Sequence, residues 1–230
     1  MGAAPADGSP PGASRLIDGP ADAPATVVLA HGAGGPMDSP FMEAIAQGLA
    51  SQGWRIWRFE FPYMARQRLT GRKGAPDALP KLLQSFCNEV ALAAAAGPVF
   101  VGGKSLGGRV ASLVVDDLAP ADVRGCLCLG YPFHPPGKPH QLRTDHLAPL
   151  QTPTLILQGE RDPFGRRDEV EGYALSPQVR VEWIPSGDHG FQPRRDSGLT
   201  TADTWALAVR RADHFVRECL GLEPRPPSGN

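Results

Sequence analysis

The sequence carries almost no excess charge of either sign, because 23 Lys and Arg residues stand against 24 Asp and Glu residues. A generic nucleic-acid binder needs a basic face for the phosphates, so this balance argues against a nucleic-acid partner. Long hydrophobic runs are also missing: the longest, residues 90–96, is far too short to span a bilayer. Residues 1–11 contain no Lys or Arg and no apolar stretch, which excludes a secretory signal there. We therefore expect no nucleic acid, no membrane and a cytoplasmic location.

Metal-ligand spacing is absent as well. The four cysteines show no C-x-x-C pair, and Cys126 and Cys128 lie two apart in an apolar run, as buried free thiols would in a reducing compartment. His134, His140 and His146 invite a metal interpretation, but their spacing of six matches no usual zinc motif. The sequence therefore predicts neither a disulfide framework nor a bound metal.

A length of 230 residues favours one domain over two and suffices for an ordinary hydrophobic core. Residues 1–24 are rich in Ala, Gly and Pro, which predicts a flexible segment with room for a short edge strand around Leu16 and Ile17. The Pro-rich residues 223–230 predict a flexible tail. A single domain is expected over residues 25–222, and nothing in the pattern sets an oligomeric state.

Between the two ends, patterns of buried strands alternate with helical patterns. Short apolar or alternating runs predict six strands, at residues 26–30, 54–61, 98–101, 126–130, 154–157 and 179–184. Helical spacing begins at Ser39, Asp77, Leu106 and Thr201. This alternation predicts an α/β fold with a mostly parallel central sheet flanked by helices. Ligands of such sheets bind beyond the carboxyl ends of the strands, so the residues that follow each strand are the candidates for a functional site.

A G-x-S-x-G pattern at residues 103–107 follows the third predicted strand and opens a helix. In a tight strand-to-helix turn the central serine takes a strained backbone conformation and projects its hydroxyl above the sheet. Glycines flank it because a Cβ there would collide with a neighbouring strand or helix. The pattern alone is weak, but its position between a strand and a helix favours Ser105 as a nucleophile.

A serine hydroxyl needs a base that takes its proton and an acid that orients the base. In this fold the chain order should be Ser, then Asp or Glu, then His, each after a later strand. Asp162 follows the fifth strand and His189 follows the sixth, in that order. Taken singly, such an aspartate is often a helix cap and such a histidine is often structural. Together with Ser105 they predict a catalytic triad.

Three other acids compete with Asp162. Glu160 lies too near its strand, Asp168 lies further along, and Asp188 adjoins His189 and would point away from it. We therefore interpret Asp188 as a residue that shapes the loop.

An oxyanion hole completes such a site, because negative charge develops on the carbonyl oxygen. One donor should be the N–H after the nucleophile, that of Leu106, at a helix N-terminus. The second should come from the glycine-rich loop after the first long strand, with Ala33 preferred and Gly34 next. His31 comes first in the chain, which is the wrong order for the base, so we expect it to brace this loop.

The motifs HGAGG, GGKSLGGR, ERDPFG and SGDHGF, in this order, resemble the α/β-hydrolase superfamily over about residues 25–220. RFEFPYM and LGYPFHPPGKP resemble a small bacterial branch of it. That branch is related to dienelactone-hydrolase-like proteins and to the hydrolase-like domains of the animal testis-expressed and NSL-complex scaffold proteins. The resemblance implies a Ser-His-Asp esterase-type site with no metal or organic cofactor. Dienelactone hydrolases proper use cysteine as the nucleophile, so Ser105 makes a dienelactone substrate doubtful.

We expect a small lid or none and a rather open pocket, because residues 131–152 leave little room for a large lid. The basic stretch 66–73 is most simply interpreted as a solvated loop. The alternative is that it borders the pocket and attracts anionic substrates. Residues near the strand ends are candidates for substrate binding, namely Gly34, Tyr63, Met64, Lys104, Phe133 and Phe191. The aromatic ones and Met64 could equally belong to the core.

Together these features predict a cofactor-independent serine hydrolase that acts on small carboxylic esters through an acyl-enzyme. A thioesterase, a peptidase or an acyltransferase would use the same triad. A hydrolase-fold scaffold without turnover is the alternative from another class.

Overall fold

The structure, a computed structural model, describes residues 15–223 and is built around a seven-stranded sheet with the order β1-β3-β2-β4-β5-β6-β7. The strands are β1 (Arg15–Asp18), β2 (Thr26–Ala30), β3 (Arg55–Phe59), β4 (Val99–Lys104), β5 (Val123–Leu129), β6 (Thr154–Gly159) and β7 (Val179–Ile184). β1 pairs antiparallel with β3, whereas all the other neighbours are parallel. The expected α/β class with a mostly parallel sheet is confirmed.

Helices cover both faces of this sheet, as parallel strands require. They are α1 (Pro40–Ser51), α2 (Pro62–Thr70), α3 (Leu79–Ala94), α4 (Leu106–Leu118), α5 (Arg167–Val170) and α6 (Thr201–Cys219), with a 3₁₀ turn at Ala119–Ala121. Buried side chains of α1 and α6 pack on one face. Those of α2, α3, α4 and α5 pack on the other.

Alternation along the strands divides the core between these two faces. Val27 and Leu29 of β2 belong to the core under α1 and α6, and Val28 and Ala30 belong to the opposite core. Successive strand side chains point to opposite faces, so a strand covered by helices on both sides reads as one continuous apolar run. This is why the run at β2 was recognisable in the sequence.

The sheet begins inside the predicted segment 1–24. Arg15–Asp18 forms β1, because its backbone pairs with the open edge of β3. The edge strand expected there is therefore present, and it belongs to the same sheet as the predicted domain 25–222. Residues 1–14, and all but the first residue of the predicted tail 223–230, lie outside the described residues.

The basic stretch 66–73, predicted as a solvated loop, is helical in its first part. Helix α2 (Pro62–Thr70) begins with a proline at its first position and ends before Gly71, which has a left-handed φ of 66°. Its short length and few apolar residues hid the helical spacing from the sequence pattern.

Two loops meet where the strand order reverses. The chain passes from β2 to β3 on one side and then returns to β4 on the other side of β2. The loops after β2 and β4 therefore leave the sheet side by side, with a crevice between them at the carboxyl ends of the strands.

The segment between β5 and β6, where a lid would be inserted, contains no helix or strand over residues 130–153. The crevice is thus left without a lid domain, as expected. Within residues 15–223, no helix is long and apolar enough to cross a membrane.

Candidate active site

Ser105 occupies the turn between β4 and α4 with a backbone φ of 49° and ψ of −109°. A non-glycine residue is strained at such a positive φ, which costs on the order of 1–3 kcal/mol. The turn is held in place because the Ser105 N–H donates to the carbonyl oxygen of Leu129 on β5 at 3.0 Å. The strained, hydrogen-bonded turn matches the tight strand-to-helix corner that the G-x-S-x-G pattern predicts.

Glycines on both sides of Ser105 allow the turn to lie directly against β2. A Cβ built on Gly103, whose φ is 155°, or on Gly107 would overlap the carbonyl oxygen of Ala30. The backbone atoms of β2 cannot move aside without breaking its pairing with β4. Both glycines are thus required by close approach, as the sequence pattern suggests.

Substituting Gly107→Ala is expected to lower the free energy of unfolding by more than about 3 kcal/mol, because the new methyl group meets backbone rather than a flexible side chain. Gly74→Ala is the matched control, since a Cβ at Gly74 meets nothing within 4 Å. Urea unfolding followed by circular dichroism measures both. A Gly107→Ala protein within about 1 kcal/mol of the wild type would contradict the close approach.

Asp162 and His189 form a hydrogen-bonded pair. Asp162 lies in the turn after β6 and is fully buried, and its Oδ2 is 2.7 Å from Nδ1 of His189. The other carboxylate oxygen, Oδ1, accepts the N–H of Phe164 at 2.9 Å. The ring of Phe164 packs on the imidazole with ring centroids 4.3 Å apart. A carboxylate partner assigns the proton to Nδ1, which leaves Nε2 free to act as a base.

Two of the three competing acids accept hydrogen bonds from backbone N–H groups, and the third is exposed. Oε2 of Glu160 accepts the N–H of Ser186 at 2.8 Å. Oδ1 of Asp188 accepts the N–H groups of Gly190 and Gln192 at 2.8 and 2.9 Å. Asp168 is exposed on α5. Asp188 therefore shapes the loop that carries the histidine.

A cavity of about 340 Å³ opens over Ser105 and His189. Its other lining residues are Gly32, Ala33, Gly34, Gly35, Ser39, Phe41, Met42, Lys104 and Phe164. The nucleophile candidate, the histidine and the predicted oxyanion loop thus share one cavity at the reversal of strand order.

The residues predicted to bind substrate are divided between the cavity and the two cores. Gly34 and Lys104 line the cavity, but Tyr63, Met64, Phe133 and Phe191 are buried in the two cores and are absent from its lining. An apolar side chain after a strand end can either line a cavity or pack in the core, and these four side chains pack in the core.

Three apolar walls of the cavity were not predicted from the sequence, namely Phe41, Met42 and Phe164. Phe41 and Met42 lie in the first turn of α1, and Phe164 stands two residues after Asp162. Proximity to a predicted catalytic residue or oxyanion loop was the available signal.

His31 braces the loop after β2. Its Nε2 accepts the N–H of Phe61 at 3.1 Å, so the ring proton is on Nδ1, which donates to the carbonyl oxygen of Gly32 at 2.7 Å. Burial lowers the pKa of His31 and so favours this neutral form. The hydroxyl of Tyr63 donates to the carbonyl oxygens of Gly32 and Ala33, at 3.3 and 3.1 Å. The loop is therefore fixed from one side by two aromatic residues.

The arginines of α2 are largely neutralised. Arg66 pairs with Asp77 at 2.6 Å, and Arg68 binds the buried carboxylate of Glu60 and also Asp38. Arg72 and Lys73 line a separate cavity of about 230 Å³ that also borders Met64. These contacts favour a structural role for the first part of the basic stretch.

The three histidines that invited a metal interpretation lie in different surroundings. Nε2 of His146 is 2.9 Å from the hydroxyl of Ser112, and that of His134 is 3.5 Å from Glu169. Across residues 15–223, no group of three or more His, Cys, Asp or Glu side chains is arranged to hold a metal ion.

A parallel sheet with a serine turn after β4 and an Asp–His pair after later strands is the arrangement of the α/β hydrolases. The chain belongs to the alpha/beta hydrolase domain family, whose model matches residues 23–217. This confirms the resemblance to the α/β-hydrolase superfamily and identifies the protein as a hydrolase.

Solved structures share this fold at low sequence identity. Est1E from Butyrivibrio proteoclasticus with bound ferulic acid superposes with a TM-score of 0.66 at 15% identity, over 91% of this chain and 96% of that one. A dienelactone hydrolase from Anabaena variabilis gives 0.64 at 21% identity, over 90% and 91%. An α/β serine hydrolase without a lid from Xanthomonas campestris gives 0.61 at 18% identity, over 93% and 91%.

Proposed function

We propose that the protein is a serine hydrolase of small carboxylic esters, with Ser105 as nucleophile, His189 as general base and Asp162 as the acid that orients the base. The observation that carries the proposal is the cavity shared by Ser105 at its strained turn and by the imidazole bound to Asp162. Triad chemistry itself requires neither a metal nor an organic cofactor.

The reaction takes two steps through the same imidazole. Nε2 of His189 removes the proton as the Ser105 oxygen attacks the acyl carbon, and the proton then passes to the leaving alcohol. His189 next deprotonates water, which attacks the acyl-enzyme, and the imidazolium returns that proton to the Ser105 oxygen as the acid is released. The buried Asp162 carboxylate holds Nδ1 and stabilises the imidazolium formed in each step.

Peptide geometry supports Ala33 as a donor to the oxyanion. In a trans peptide the C=O and the following N–H point in opposite directions, and none of the peptide bonds among residues 15–223 is cis. The Gly32 and Ala33 carbonyls bind Tyr63, which does not line the cavity. The N–H groups of Ala33 and Gly34 are thereby turned the other way.

Leu106 supplies the second proposed donor. It is the first residue of α4, so its N–H has no acceptor within the helix and carries the positive end of the helix dipole. Donors fixed before the reaction stabilise the tetrahedral intermediate without reorganisation.

The cavity limits the substrate. About 340 Å³ is near the lower end for small-molecule sites, and Phe41, Met42 and Phe164 give it apolar walls. These features favour short acyl chains or a single aromatic ring. The ferulic acid bound by Est1E, a protein of the same fold, is of that size class.

A fluorophosphonate probe tests the activated serine. We expect the wild type to be labelled and Ser105→Ala not to be labelled, and we expect p-nitrophenyl acetate or butyrate to be turned over faster than the octanoate. A folded wild type that resists the probe would contradict the proposal and favour the scaffold alternative. Thioesters and peptides in the same assay separate the other triad chemistries.

A further inference from the structure

The loop that carries His189 runs from the end of β7 at Ile184 to the start of α6 at Thr201 without a helix or strand. Three successive carbonyl oxygens in this loop are held by side chains. That of Gly190 accepts from Nε1 of Trp205 at 2.9 Å, and that of Phe191 accepts from the hydroxyl of Thr204 at 2.7 Å. The first of the three, on the histidine itself, accepts from Nζ of Lys104. Trp205 and Thr204 belong to α6, whereas Lys104 directly precedes the nucleophile.

Lys104 is enclosed at its charged end. Part of the residue lines the cavity, but Nζ lies 5.4 Å from the ring centroid of Phe41 and 5.8 Å from that of Phe191. Gly130 leaves space for it, because a Cβ there would stand 2.6 Å from Nζ. Among residues 15–223, no carboxylate lies within salt-bridge distance of this ammonium. Its polar contact is the carbonyl of His189.

An ammonium in such a place is costly to the fold. Burial lowers the pKa of Lys104 to about 8, and the negative charges of Asp162 and Asp188 offset this only in part. A neutral side chain of similar length would fill the same space without that desolvation penalty. A charge that opposes folding at this position points to a role in the site.

We propose that Lys104 is a positioning residue for the catalytic histidine, its ammonium tying the main chain of His189 to the turn that carries Ser105. The inference rests on the proposed function. It assigns the charged end of Lys104 to the histidine loop rather than to the substrate.

The bond from Lys104 to the carbonyl oxygen holds His189 at its backbone as well as at its ring. Asp162 holds the ring at Nδ1, and Lys104 holds the backbone carbonyl, so the direction of Nε2 is determined from two sides. Because Lys104 and Ser105 are adjacent in the chain, the base moves with the nucleophile. Displacements of about 1 Å between reacting groups cost on the order of 100-fold in rate, so a single such contact matters.

The charged and titratable groups near this ammonium are the carboxylates of Asp162 and Asp188 and the imidazole of His189. Its uncharged neighbours on α1 and in the histidine loop include the rings of Phe41 and Phe191. Loss of the Lys104 proton above about pH 8 weakens the charge-assisted bond to the carbonyl. Activity of the wild type should therefore fall on the alkaline side as this group deprotonates.

Lys104→Met tests the proposal, with ester hydrolysis as the assay. We expect kcat to fall about 10- to 100-fold with KM changed less than about threefold, because the base is misplaced while methionine keeps the apolar part of the wall that Lys104 gives the cavity. The alkaline decline near pH 8 should be absent from the variant. Lys138→Met, at an exposed lysine of the segment between β5 and β6, is the matched control and should behave as wild type.

Thermal melting separates positioning from a structural role. Lys104→Met should melt at or above the wild-type temperature at pH 7, because a buried charge is removed. Trp205→Phe, which removes the neutral bond to Gly190 and shortens the ring that packs against Phe41, should melt lower and keep the alkaline decline. A Lys104→Met protein with unchanged kcat and pH profile, or with a kcat loss explained by a lower melting temperature, would overturn the inference. Ser105→Ala, inactive in the same assay, shows separately whether the proposed function holds.

Discussion

Replacing Ser105 by alanine is expected to reduce kcat/KM for p-nitrophenyl esters by at least about 10⁴-fold, leaving only what the oxyanion donors and substrate binding contribute. The loss is large because no acyl-enzyme forms without the hydroxyl. Steady-state kinetics on the best short-chain ester measures it. Turnover within about tenfold of the wild type would reject Ser105 as the nucleophile.

A second substitution at the same position separates catalysis from folding. Ser105→Gly also removes the hydroxyl, but glycine adopts a φ of 49° without the strain of a side chain. It should be equally inactive yet more stable than the wild type by about 1 kcal/mol. Ser105→Ala keeps the strained conformation and should unfold at the wild-type denaturant concentration.

Asp162→Asn is expected to lower kcat by about 10³- to 10⁴-fold with little change in KM. The amide retains an oxygen for the N–H of Phe164, so the turn after β6 is kept. The NH2 group then faces His189, where it donates to Nδ1 instead of accepting from it and supplies no negative charge to stabilise the imidazolium. The imidazole then favours the tautomer whose proton is on Nε2, where it cannot act as the base.

Asp168→Asn is the matched control, because this rival acid follows the same strand but is exposed on α5. Its kcat should stay within about twofold of the wild type, as for most surface substitutions. If the losses were reversed between the two variants, the assignment of the orienting acid would be wrong.

The sheet and the proposed triad were predictable because each rests on local rules. Buried parallel strands such as β2 and β6 read as apolar runs, and the glycines around Ser105 are imposed by the backbone of Ala30. The order of Ser105, Asp162 and His189 follows from the positions of the strand ends. These three residues could be predicted without knowing how their side chains pack.

Other features depend on contacts between distant parts of the chain. β1 exists because β3 offers an open edge, and α2 is anchored by Tyr63 and Met64 in the core although its sequence is mostly polar. Phe191 and Phe41 look alike in the sequence, yet only Phe41 lines the cavity. The bond from Lys104 to His189 joins residues 85 positions apart, which no pattern of spacing reports.

Two residues at the centre of the site oppose folding. Ser105 holds a strained backbone, and Lys104 carries an enclosed charge with no carboxylate within salt-bridge distance among residues 15–223. Strain and buried charge persist where the surrounding structure enforces them and where activity requires them. Both lie in consecutive positions beside the histidine loop, where the chemistry is proposed to occur.

The central claim is that an acyl group passes through Ser105. A p-nitrophenyl carbamate tests it most directly, because the carbamoyl-enzyme of a serine hydrolase hydrolyses slowly and accumulates. Intact-mass and peptide mass spectrometry after acid quenching should show one carbamoyl group per chain, on the peptide that contains Ser105, and none in Ser105→Ala. An adduct on another residue, or an ester-hydrolysing protein that forms no adduct, would contradict the account.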